Sequence, residues 1–141
     1  MTTPTITSLA PLLDRLFLEA EATRGATLAA VADLSDADRA RMMRSKTDYA
    51  DLYGRLKDVP LAVSRETGAL LYMLARSSRA RTIVEFGTSF GISTLHLAAG
   101  LRDNGGGRLI TSEFEPSKRG HATTSRPAGC SISAKSAKGM R

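Results

Sequence analysis

The residues with the clearest chemical potential lie between Val84 and Thr94, in the run Val84-Glu85-Phe86-Gly87-Thr88-Ser89-Phe90-Gly91-Ile92-Ser93-Thr94. An apolar run ends in an acid, a glycine follows where the chain must turn, and a second glycine precedes a helical pattern. Glycine lets backbone approach a ligand closely. A helix that starts there aims its free N–H groups and its positive dipole end into the loop. Such a loop suits a carboxylate or a phosphate, and Ser89, Ser93 and Thr94 add hydroxyl donors. Glu113 ends the next apolar run, where an acid can accept both hydroxyls of a ribose. Two glycines in a turn are commonplace. Strand, acid, glycine loop, helix and a spaced second acid together are not.

The elements that must position these groups can be read from periodicity. Thr82–Phe86 (TIVEF) fits a buried parallel strand. Residues 92–101 fit a helix, DNGGG at 103–107 a turn, and RLITSE at 108–113 a second strand, which makes a βαβ unit. Upstream, Leu9, Leu12, Leu13, Leu16, Phe17 and Ala20 stand at helical spacing over 8–22. Residues 35–58 read as one or two helices, started by a capping-box-like Ser35/Asp38 pair and carrying the stripe Tyr49, Leu52, Tyr53, Leu56. Ser64 can cap a helix over 65–78 with Leu70, Leu71 and Leu74 on its buried side.

Val84–Thr94, together with its approach VSRETGALLYMLARSSRARTI and the strand ending TSEFEPSK, resembles the first motifs of class I S-adenosylmethionine-dependent methyltransferases. It is most similar to the catechol and caffeoyl-CoA O-methyltransferase-like family, whose loop reads E-I-G-T-x-x-G-Y-S. Here Ile92 replaces the tyrosine. The resemblance runs from about Val63 to Lys118 and implies a partial Rossmann-like α/β fold with S-adenosylmethionine as cofactor. It implies that Glu85 and the backbone of Gly87 and Thr88 face the methionine amino group. Ser93 and the backbone near Val63 and Ser64 would hold the carboxylate, with Ser89 and Gly91 completing the loop. Glu113 would bind the ribose and Phe114 would lie beside the adenine. None of these is a catalytic base. Family members often use a divalent metal, whose ligands come from later strands, and this chain has no such ligands. The implied partner is a small-molecule methyl acceptor, and a homodimer through the N-terminal helices is compatible with it.

The expected organisation is an N-terminal helical segment (1–62), the first part of a cofactor-binding domain (63–118) and a tail (119–141) unlike the family. The net charge of +6 belongs to that end of the chain: Lys118, Arg119, Arg126, Lys135, Lys138 and Arg141 stand beyond residue 116 without an acid. The tail lacks amphipathic period and reads as disordered. Read one base out of register, its codons can spell A-R-A-R-D-N-L-A-A-G-G-L-F-D-L-G-E-V-R-E-G-D-A, which resembles the family's next helix, turn and strand. A frameshift near Lys118 is therefore expected, against a natural extension, and the truncated chain is expected to be inactive alone.

Other classes fare worse. A nicotinamide dinucleotide binder needs G-x-G-x-x-G, and position 89 is Ser. A nucleic-acid module would need stacking aromatics among its charges, and the tail has none. An inert fragment remains the alternative. His96 reads as a surface or half-buried helix position, while His121 and the lone Cys130 carry no site. There is no apolar run of membrane-spanning length and no basic leader, so the expected compartment is the cytoplasm.

Overall fold

The computed structural model describes residues 4–113 and 130–136. Six helices and three strands follow in the order α1 (Thr5–Ala22), α2 (Arg24–Ala29), α3 (Asp36–Arg44), α4 (Tyr49–Arg55), α5 (Arg65–Ser77), β1 (Thr82–Phe86), α6 (Ile92–Asp103), β2 (Gly107–Glu113) and β3 (Cys130–Ser136). The expected caps are in place: Ser35 accepts the Asp38 N–H at 3.0 Å and Ser64 accepts the Thr67 N–H at 3.2 Å.

The strands form one parallel sheet in the order β1-β2-β3. Thr82 pairs with Arg108 and Phe86 with Ser112, while Gly107 pairs with Cys130 and Glu113 with Ser136. The third strand corrects the expectation of a disordered tail over this stretch. Composition speaks only of local preference, whereas the free edge of β2 offers unpaired N–H and C=O groups that a neighbouring segment can satisfy. Phe114 and the rest of the tail lie outside the described residues.

Helix α6 anchors the packing. Leu13 and Phe17 of α1 are buried against its Ile92 and Leu95, and Ala98 and Leu101 pack on Leu109 of β2. A second cluster, Val31, Met42, Leu52 and Leu56, ties α3 and α4 to the turn after α2. Asp103 joins the two ends of this assembly: its carboxylate accepts the Thr5 N–H that opens α1 and the Tyr72 hydroxyl at 2.8 Å.

Three burial expectations are corrected. On α5 the inward side is Gly68 and Ala75, and Leu70 and Leu74 are 49% and 54% exposed. Small residues win there because α5 and α6 approach too closely for leucines. A Cβ on Gly68 would stand 2.6 Å from the His96 ring, and one on Gly100 would stand 2.7 Å from the Ala75 Cβ. His96 is itself buried, 5% exposed, with Nδ1 2.8 Å from the Ile92 carbonyl and Phe17 packed edge-on. Strand β1 is covered on one side alone: Val84 and Phe86 alternate onto the other side and are 75% and 83% exposed.

Candidate functional site: the glycine loop between two carboxylates

The loop sits where β1 hands over to α6. Gly87 and Gly91 have φ of +88° and +85°, a region open to glycine and costly for most residues. Gly91 is the N-cap of α6. The Gly87 and Thr88 N–H groups both donate to the Ser112 carbonyl at 3.0 Å, so the loop folds back over the end of β2. Thr88 is buried and its hydroxyl reaches Thr111 and the Ser112 carbonyl. Its side chain therefore anchors the loop from below, and the β2 carbonyl at Ser112 takes up the Gly87 and Thr88 N–H groups.

The two acids flank this loop. Glu85 is buried and accepts three hydroxyls: Ser93 at 2.6 Å on Oε1, and Thr94 at 2.6 Å and Thr111 at 2.8 Å on Oε2. These bonds tie β1, the first turn of α6 and β2 into one unit, and such charge-assisted bonds are the strong ones. Sequence reasoning missed Thr111 as a member. Its alternation with Leu109 on the covered side of β2 was the available signal. Glu113, also buried, accepts the Ser89 N–H at 2.6 Å.

The segment before α5 comes to the same place. The Ser89 hydroxyl accepts the Leu61 N–H at 3.0 Å. Val63 packs on the Leu13–Phe17 cluster, and Val63 and Ser64 line a cavity of about 610 Å³ with Phe17, Arg24, Leu28 and Leu61. Glu85 is thus bonded to Ser93, Ser89 to Glu113 and Gly91 to Thr88 at one end of the sheet, Gly87 and Thr88 share the Ser112 carbonyl, and Ser89 links the loop to the segment holding Val63 and Ser64. The geometry suits a ligand that needs close backbone approach, since a Cβ on Gly87 would meet nothing within 4 Å. Among the described residues no group of three His, Cys, Asp or Glu side chains is placed to hold a metal ion. None of the described helices is long and apolar enough to cross a membrane.

Over 55 residues the chain is 47% identical to a Mycolicibacterium smegmatis protein assigned to the O-methyltransferases, a match covering 39% of this chain and 25% of that protein. It is 43% identical over 56 residues to a catechol O-methyltransferase of Niastella koreensis, covering 40% and 24% of the two chains. A catechol O-methyltransferase of Mycobacterium tuberculosis is 39% identical over 66 residues, 47% of this chain and 28% of that one. Over this stretch the chain is similar to O-methyltransferases. The matched stretch spans about a quarter of each of these relatives. No protein-family model matches the chain. Among solved structures, the O-methyltransferase TomG of Streptomyces achromogenes, in complex with SAM, is 31% identical with a TM-score of 0.47, covering 82% of this chain and 51% of that one. The O-methyltransferase of Bacillus cereus, in complex with SAH, is 24% identical with a TM-score of 0.47, covering 75% and 47%.

Proposed function

We propose that this chain carries the front part of an S-adenosylmethionine site, from an enzyme that transfers a methyl group to oxygen on a small acceptor. The observation behind this reading is the loop of two left-handed glycines set between buried carboxylates at the ends of adjacent parallel strands. The O-methyltransferase names of its relatives favour oxygen as the methylated atom.

In this reading Gly87 and Gly91 give the backbone room to meet the ligand. The start of α6, including the Ser93 N–H, attracts its carboxylate, helped by the backbone at Val63 and Ser64. Glu85 sets negative charge behind the loop toward an amino group, held in place by Ser93, Thr94 and Thr111. Thr88 and Ser89 fix the loop, and Glu113 receives the ribose hydroxyls, with Phe114 beside the adenine. S-adenosylmethionine supplies an electrophilic methyl group on a sulfonium when bound. These residues orient and hold, and such positioning is itself a large part of the rate of a methyl transfer. No step is assigned to a metal.

The test is an NMR titration of the chain with S-adenosylhomocysteine. Shifts are expected at Gly87–Ser93, Val63, Ser64 and Glu113. Glu113→Ala is expected to take binding below detection, because it deletes bonds to a charged acceptor worth about 1.5–3 kcal/mol each. Shifts confined to other residues, or equal binding by the variant, would overturn the assignment.

A further inference from the structure

We propose that Ser89 is a positioning residue of the site: its hydroxyl pins the segment 61–64 against the glycine loop while its N–H orients the Glu113 carboxylate. The proposal rests on the reading of the loop as a cofactor site. Ser89 has φ of +47°, which glycine would adopt freely and serine adopts at a cost. A serine held there needs compensation from its surroundings, and two bonds supply it. The N–H reaches Glu113 Oε2 at 2.6 Å and the hydroxyl receives the Leu61 N–H at 3.0 Å. One residue thus connects the end of β2, the loop and the chain entering α5, which are separated by 24 and 28 residues in sequence.

The consequence concerns the segment beside the loop. Leu61, Val63 and Ser64 line the cavity of about 610 Å³, and Leu61 is bonded to the loop through Ser89. Ser64 is engaged as the cap of α5, and Val63 by packing. Neither contact fixes Leu61 relative to the loop, so the Ser89 hydroxyl sets that spacing. Loss of the hydroxyl leaves the Glu113 bond intact, because the N–H remains.

Two substitutions separate the hydroxyl from the strain. Ser89→Gly removes the hydroxyl and relieves the backbone, and Ser89→Ala removes the hydroxyl and keeps the strain. In the intact 141-residue chain, NMR is expected to show faster amide exchange at Leu61 in both variants. S-adenosylhomocysteine affinity is expected to fall by about three- to tenfold in both, the worth of one neutral hydrogen bond. The melting temperature of the Gly variant should match or exceed that of the parent, so its weaker binding cannot come from unfolding. Unchanged Leu61 exchange, or parental affinity in both variants, would overturn the role of Ser89 alone. Absence of binding by the parent chain would overturn the cofactor reading and this role with it.

Discussion

At the scale of single residues, His96 shows how burial rewrites a side chain. Burial pushes its imidazole below the ordinary value of 6.5, with the Ile92 carbonyl partly opposing the shift. As pH falls below about 6.5 the unfolded chain takes up its proton first, so stability is full above that pH and declines below it until the folded imidazole itself titrates. Chemical denaturation between pH 7.5 and 5 should show this decline, and His96→Gln should flatten it. An equally steep decline in the variant would assign the acid sensitivity to other groups. Asp103 also loses its contribution on acidification, but for a different reason. Burial works against its charge, yet hydrogen bonds from Thr5 and Tyr72, with Arg76 nearby, hold its carboxyl below the usual carboxylate range. Its contribution is present above pH 3.8 and is lost as pH falls through its depressed value.

At the scale of elements, two contacts set the geometry of the sheet end. The first is the hydroxyl set around Glu85. Thr111→Val keeps the shape of a buried side chain and deletes one donor to a buried carboxylate, a loss of about 1–3 kcal/mol. Urea denaturation at neutral pH should record it as a lower midpoint with unchanged slope. The second is the close approach of α5 to α6. Gly100→Ala would set its Cβ 2.7 Å from the Ala75 Cβ and 3.3 Å from the Tyr72 carbonyl. Overpacking of this kind costs about 1–3 kcal/mol and exceeds the helix preference for Ala over Gly, about 1 kcal/mol. A stabilised Gly100→Ala variant in the same denaturation experiment would show that the helices can move apart freely.

At the scale of the whole molecule, Val84 and Phe86 leave one side of β1 uncovered, and Leu70, Met73 and Leu74 are exposed on α5. Strand β1 also ends the sheet, so its outer edge has no strand partner among the described residues. Uncovered apolar surface beside an open edge favours self-association. Phe86→Thr is expected to lower light scattering at high concentration with little change in melting temperature, because an 83% exposed side chain contributes little to folding. Unchanged scattering would move the sticky surface elsewhere. A different prediction concerns the gene. Restoring one base near codon 118 should open a frame that encodes further strands and helices of a methyltransferase. A stop within a few codons of the restored frame would end the frameshift idea.

The glycine loop was legible in the sequence because its constraints are local. Only glycine adopts φ near +85° readily, so Gly87 and Gly91, set between an apolar β-rich run and a helical pattern, mark a tight turn, and the change from alternating to helical period marks β1, α6 and β2. The acids at strand ends followed from the same pattern. What lay beyond reach depended on partners distant in the chain. Helix α5 carries leucines on one side and small residues on another, and only its close contact with α6 decided that Gly68 and Ala75 face inward. The same contact buried His96. The strand at 130–136 has weak local preference and exists through pairing with β2, which no local composition reports. The bonds of Ser89 to Leu61 and Glu113 were hidden for the same reason. Local sequence fixes where backbone can turn and which residues can alternate, whereas the partners of a side chain are settled only when distant segments compete for one interior.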